Sequence, residues 1–233
     1  MEKKVCVIVG VGPGNGAAFA SRFAKEGYHL ALLARSKKFA YELANELGNA
    51  HAYECDVSQN DSIQKTFNQI HQDLGTIDVV VYNAGSGVWG NIEEIKPKDF
   101  EASWRVNALG LMLVSQCVIP EMKQNGQGKL IIIGATASKR GGINTAVFAP
   151  AKAAQRSLAE SMAKYLGPMG IHVGLVLIDG IVDLPKTREF MPDKPDSFFV
   201  KPDDVADTVF WLTQQAPSTW SFEVEVRPFG EAW

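Results

Sequence analysis

Val5-Cys6-Val7-Ile8-Val9-Gly10-Val11-Gly12-Pro13-Gly14-Asn15-Gly16-Ala17-Ala18-Phe19 decides how the rest of the chain is read. An apolar run breaks into glycines and then resumes, with Phe19, Phe23 and Ala24 at helical spacing, which gives the order strand, turn, helix. The β-branched Val5, Val7, Ile8 and Val9 suit a strand buried on both faces. Within the turn, one glycine can take positive φ, another can let a bound group approach the backbone, and a third can let helix and strand pack closely. Gly10, Gly12, Gly14, Asn15 and Gly16 therefore form a candidate phosphate loop, with the anion on the free N–H groups of a helix beginning near Asn15. The loop is not a clean G-x-G-x-x-G, because counting from Gly12 puts the third small residue at Ala17; an ordinary tight turn is the competing reading.

Working outward, residues 28–34 form a second apolar strand, 39–47 a helix ended by Gly48, and 50–54 a third strand delivering Cys55-Asp56-Val57. Residues 58–74 are amphipathic through Ile63, Phe67, Ile70 and Leu74, and 77–82 form a strand running into Asn83-Ala84-Gly85. A long helix through Trp104, Leu111 and Val118, strands at 129–133, 173–178 and 220–229, and an amphipathic helix at 202–214 complete the chain. This alternation predicts an α/β fold with a parallel, doubly wound sheet, and 233 residues suit one domain over 1–233.

In a dinucleotide fold the tip of the second strand meets the adenosine ribose, where an acid selects a free 2′-hydroxyl and an arginine accepts a 2′-phosphate. Here the tip reads Ala34-Arg35-Ser36-Lys37-Lys38, with no acid, so NADP(H) is favoured over NAD(H), with Arg35 as main contact and Ser36 beside it. The competing reading is a solvated basic loop. Asp56 is placed to accept from the adenine amino group.

A net charge of −3 and the lack of any basic run argue against a nucleic-acid partner. Cys6, Cys55 and Cys117 are isolated thiols without C-x-x-C spacing, which suits a reducing, cytoplasmic compartment. The four histidines lack ligand spacing, so no metal is expected. Met1 to Lys4 show no secretory leader, and no apolar stretch approaches about 18 residues, so no membrane partner is expected. Residues 184–200, with three prolines and the apolar Phe190, Met191, Phe198 and Phe199, are a candidate irregular lid over an apolar pocket for a small-molecule ligand.

The chain resembles the short-chain dehydrogenase/reductase family over nearly its whole length. The likeness rests on Gly10, Gly14 and Gly16 at that family's spacing, Asp56-Val57, Asn83-Ala84-Gly85, Asn107 followed by Gly110, and Lys152 preceded four positions earlier by an aromatic residue. It implies a three-layer Rossmann fold with a seven-stranded parallel sheet and a nicotinamide cofactor held in part by Val57, Asn83, Ala84, Gly85, Lys152, Gly180 and Val182. It also implies catalytic roles for Asn107 and Lys152, and a homodimer or homotetramer. In such an assembly the helices bearing Asn107 and Lys152 meet their copies, with Leu111, Met112, Ala153 and Leu158 as contacts.

The departures from the family pattern fall on the chemistry. Phe148 stands where the family has its tyrosine and Ala135 where it has its serine, Val9 and Leu184 replace threonines, and Asp179-Gly180 replaces Pro-Gly. A phenylalanine has no proton to give, and loss of a general acid costs roughly 10²- to 10⁴-fold. Thr136, Ser138 and Tyr82, with Ser86 on the other flank of the Asn83 turn, are the neighbouring hydroxyls to weigh as substitutes. Three readings follow: an oxidoreductase for a small apolar carbonyl or alcohol with an unconventional proton donor, a cofactor-binding pseudoenzyme, or a lyase or isomerase reusing the cleft.

Overall fold

The computed structural model describes residues 3–231; Met1, Glu2, Ala232 and Trp233, and with them part of the leader reading, lie outside the described residues. The first half runs β1 (Val5–Val9), α1 (Asn15–Lys25), β2 (His29–Ala34), α2 (Lys37–Leu47), β3 (Ala50–Glu54), α3 (Asn60–Leu74) and β4 (Val79–Tyr82). There follow α4 (Pro97–Trp104), a π-helical turn (Arg105–Leu109), α5 (Gly110–Asn125), β5 (Gly128–Ala135), α6 (Phe148–Leu166) and β6 (Ile171–Ile178). The chain ends with β7 (Ile181–Val182), α7 (Pro185–Phe190), β8 (Phe199–Val200), α8 (Pro202–Gln214) and β9 (Glu223–Val226).

Seven strands make one parallel sheet in the order β3-β2-β1-β4-β5-β6-β9. Alternation along β1 shows why it needs cover on both sides. Val5, Val7 and Val9 enter a core shared with α3, α5 and α6, whereas Cys6 and Ile8 enter a second core shared with α1, α2 and α8. The result is the three-layer, doubly wound α/β architecture expected from the sequence. Leu111, expected at a subunit contact, is buried in the first core.

Strand order reverses between β1 and β4, so the crevice beyond their C-terminal ends is where this architecture places a ligand. The loops leaving the two strands are locked together. Asn83 Nδ2 donates to the Gly10 carbonyl at 2.8 Å, and the Asn83 N–H donates to the Val9 carbonyl at 2.9 Å. Gly10 has φ +91°, and a Cβ there would lie 2.6 Å from the Ala84 backbone. Gly16, in the first turn of α1, would press a Cβ to 2.8 Å from the Gly10 carbonyl oxygen. It therefore fills the close-packing role that counting from Gly12 had put at Ala17.

Two expectations change. Residues 184–200 are not irregular throughout: they contain α7 and β8, and β8 pairs in parallel with β7 through Ile181↔Phe199 and Val182↔Val200. Arg188 stitches this segment, donating to Asp183 at 2.7 and 2.8 Å and to Asp196 at 2.8 Å, with its guanidinium 4.0 Å from the centre of the Phe199 ring. Secondly, α4, the π turn and α5 join into a 29-residue helical stretch that is long and apolar enough, by length and composition alone, to cross a membrane. Its inner face, Leu111, Val114, Val118 and Met122, is buried against the sheet.

At the far edge, β9 pairs only with β6, and charged residues cover its flank. Glu223 meets Arg156 at 2.6 Å and Lys139 at 3.1 Å, while Glu225 meets Lys139 at 3.0 Å.

Substituting Gly10→Ala forces a Cβ into the Ala84 backbone at a φ that disfavours side chains, so a loss of roughly 2–4 kcal/mol is expected. Urea unfolding curves read the loss directly, and an unchanged midpoint contradicts the tight loop contact.

Candidate active site

Of the candidate phosphate-loop residues, Asn15 opens α1, and Gly12 has open space where a Cβ would sit. The Asn15 Oδ1 atom is buried without a hydrogen-bond partner. Leu184 lies against Gly14 and covers one flank of the loop. Arg35 and Ser36 are exposed at the end of β2, and Ser36 precedes α2 without a side-chain cap bond. Asp56 Oδ1 accepts from both the backbone N–H and the hydroxyl of Ser58, at 2.9 and 2.8 Å, which orients the carboxylate beside the buried Val57.

A polar chain runs beneath the cavity floor. Asn107 is held by the π turn, a local widening that is frequent at functional sites because it redirects one side chain without ending the helix. Its Nδ2 donates to the carbonyls of Ser86 and Ser103, both at 2.9 Å, while its Oδ1 is buried and unpartnered. Its carbonyl accepts from Gln155 Nε2 at 3.0 Å. Gln155 Oε1 in turn accepts from Lys152 Nζ at 2.9 Å, and the same Nζ donates to the Ile133 carbonyl at 2.9 Å. Gln155 is fully buried and was not singled out from the sequence; a polar residue three positions beyond Lys152, and so on the same helix face, is the signal that could have found it.

A cavity of about 610 Å³ opens above this chain. Asn15, Asn83, Gly85, Lys152, Gly180 and Val182 all contribute to its wall, so these site residues, from distant parts of the sequence, converge. No residue of 184–200 is among those lining it. Ala135 and Phe148 also line it, with the Phe148 ring 5.7 Å from that of Trp89 and 5.9 Å from Lys152 Nζ.

The hydroxyls separate by setting. Tyr82 is buried and donates to the Val106 carbonyl at 2.5 Å; burial pushes its phenol well above the ordinary value, which unfits it as an acid. Ser138 is buried and accepts from the Ala135 N–H at 3.3 Å. Thr136 does reach this cavity wall, as does Ser86 beside the Asn83 turn, and the Thr136 hydroxyl donates to Asp179 Oδ1. Asp179 also faces Arg227 at 3.2 Å and Arg140 at 3.7 Å, so one wall is charged rather than apolar. These residues follow the C-terminal ends of β5, β6 and β9, three adjacent strands.

The crevice fits a dinucleotide: a glycine cradle, unpartnered Asn15 and Asn107 oxygens, and a buried lysine with one bonding direction left. The Asn15 loop would hold phosphate, and Lys152 and Asn107 would face the ribose and ring. Bound there, such a cofactor supplies hydride exchange.

Burial lowers the Lys152 ammonium from 10.5 to about 8, with desolvation as the cause. Between those values the unfolded chain binds more protons at this group than the folded one, so the penalty is full below pH 8 and vanishes above the unfolded value. Relative to Lys152→Met, the wild-type chain is therefore expected to gain on the order of 3 kcal/mol as pH rises from about 7 to above 10. Paired urea unfolding at the two pH values measures the change, and a constant difference contradicts a neutralised buried lysine.

The family model described as short chain dehydrogenase matches residues 4–194. The human 3-oxoacyl-[acyl-carrier-protein] reductase is 29% identical over 187 residues, covering 80% of this chain and 78% of that protein. A metagenomic short-chain oxidoreductase solved in complex with NADP superposes with a TM-score of 0.84 at 29% identity, covering 97% of this chain and 96% of the other. An alcohol dehydrogenase from the archaeon Thermococcus sibiricus, solved with 5-hydroxy-NADP, gives 0.86 at 28% identity and covers 99% of both chains. With the glycine loop, the Asn83 turn, Asn107 and Lys152 converging at one strand-order reversal, the chain belongs to the short-chain dehydrogenase family of nicotinamide-dependent oxidoreductases.

Proposed function

We propose that this protein binds NADP(H) in preference to NAD(H) and acts on a small carbonyl or alcohol compound in the cavity beside Phe148, with Thr136 and Asp179 handling the proton. The observation that carries it is the convergence of Asn15 at the start of α1, Asn83, Gly85, Lys152 and Gly180 on the wall of one cavity. Arg35, exposed at the tip of β2 with no acid beside it, supports the phosphate-bearing cofactor, and NADP complexes among the similar structures agree.

Thr136 donates its own hydrogen to Asp179, so its oxygen lone pairs are left to accept from a substrate hydroxyl. That arrangement suits removal of a proton from an alcohol, with the carboxylate as final acceptor. Ala135 and Phe148 offer neither the hydroxyl nor the phenol that usually hold the reacting oxygen, so the catalysed rate falls below that of relatives bearing both. A second reading, cofactor binding without turnover, draws on those same two residues. The protein is proposed to work in the cytoplasm as a homodimer or homotetramer; Cys6, Cys55 and Cys117 are free thiols.

Calorimetric titration with NADPH and NADH is the test. NADPH is expected to bind more tightly, and Arg35→Ala to weaken NADPH by roughly 10- to 100-fold while leaving NADH within about twofold. No binding of either nucleotide sinks the proposal.

Reconstituting the missing groups with Phe148→Tyr plus Ala135→Ser is expected to raise carbonyl reduction across a ketone panel by about 10²-fold. If cofactor binding persists and no reduction emerges, the missing phenol and hydroxyl are not what limits the chain.

A further inference from the structure

An amine that attacks a carbonyl needs a free lone pair, room beside it, and a partner for the oxygen that leaves. Lys152 meets all three conditions. A tetrahedral Nζ has four directions: one is taken by its own side chain, and two by the Ile133 carbonyl and Gln155 Oε1, each at 2.9 Å. In the neutral amine both N–H bonds point at those acceptors, so the lone pair occupies the fourth direction.

Space beside it exists because residue 85 is a glycine. The point where a Cβ on Gly85 would sit lies 3.8 Å from Lys152 Nζ and 3.5 Å from Asn107 Oδ1, and Gly85 is itself on the cavity wall. Asn107 is fully buried and its Oδ1 has no hydrogen-bond partner, so an acceptor lies just beneath the Gly85 edge of the cavity, next to the Nζ lone pair. Around it the wall is formed by Ile133, Ala135, Phe148 and Trp89, which suits an apolar or aromatic group.

We propose that Lys152 is a carbonyl-reactive amine which, in the cofactor-free cavity, condenses with small apolar aldehydes to form an imine. The Nζ lone pair forms a bond to the carbonyl carbon, and the carbonyl oxygen takes a proton from nitrogen to give a carbinolamine whose hydroxyl donates to Asn107 Oδ1. The C–O bond then breaks as the C=N bond forms, and the oxygen departs with the second amine proton as water. Nothing is oxidised or reduced. Burial alone lowers the ammonium to about 8, so at neutral pH the neutral fraction exceeds that of an ordinary lysine by on the order of a hundredfold.

The test needs no knowledge of a natural substrate. The wild-type protein is incubated with benzaldehyde and sodium cyanoborohydride, which traps an imine as a stable benzylamine, and adducts are located by peptide mass spectrometry. Lys152 is expected to label at least ~10-fold faster than exposed lysines such as Lys37, Lys38 and Lys164, given its larger neutral fraction. Labelling spread over the exposed lysines with no excess at Lys152 overturns the proposal. Lys152→Arg serves as a check: loss of the fast adduct with circular dichroism unchanged supports it, and a fast adduct persisting elsewhere overturns it. A parallel arm contains NADP+. Suppression of the Lys152 adduct supports both this proposal and the cofactor site, whereas fast labelling undiminished by NADP+ upholds the imine and removes the cofactor from Lys152.

Discussion

The site rests on the close approach of two loops that leave neighbouring strands on opposite sides of a strand-order reversal. Gly10 and Ala84 pack at a distance that leaves no room for a Cβ, and Asn83 closes the contact by donating to the Gly10 carbonyl. The partners are 73 residues apart in sequence, so this hydrogen bond closes a long loop and fixes the floor of the crevice. A threonine at position 9 is unnecessary for the turn, because the Val9 carbonyl already receives the Asn83 N–H. The Asn83 amide and main-chain groups do the holding, and the rim above them is built from other side chains.

The rim side chains are of two kinds. On one wall stand Phe148 and Ala135, with the Trp89 ring packed against that of Phe148. On another, Asp179 draws in Thr136, Arg140 and Arg227. Phe148 and Ala135 carry no proton to give, whereas Thr136 has a carboxylate behind its hydroxyl. Beneath both, the Ser103, Asn107, Gln155 and Lys152 chain is nearly complete in its hydrogen bonds. Such a buried network is rigid when its members are satisfied, and among the described residues Asn107 Oδ1 is its atom without a hydrogen-bond partner.

Much of this was legible in the sequence, for reasons particular to each element. β1, β3 and α8 fall at the expected residues because continuous apolar runs, or runs at helical spacing, are bounded by glycines, prolines or polar residues. The glycine loop was legible because backbone conformation and close approach restrict it to one residue type. Gln155 was hidden by its small apolar neighbours, Ala149 to Ala154, which draw the eye to packing rather than to the one amide among them. The pairing of Asp179 with Thr136 and Arg227 joins residues 43 and 48 positions apart, and no local periodicity encodes such a meeting. The 184–200 segment misleads because prolines and scattered aromatics look like a loop, whereas Arg188 and the β7–β8 pairing order it.

The edge strand β9 has a consequence for that charged wall. It delivers Arg227 to Asp179 from a position held by backbone bonds on one side only, with Glu223 and Glu225 tied to Lys139 and Arg156 as outer stitching. Edge elements with one pairing partner open locally at lower free energy than central strands such as β1 and β4. The floor of the crevice is therefore held by central strands, whereas the Asp179 cluster leans on an edge strand. Ionic strength, which screens the stitching, acts on the wall and leaves the floor untouched.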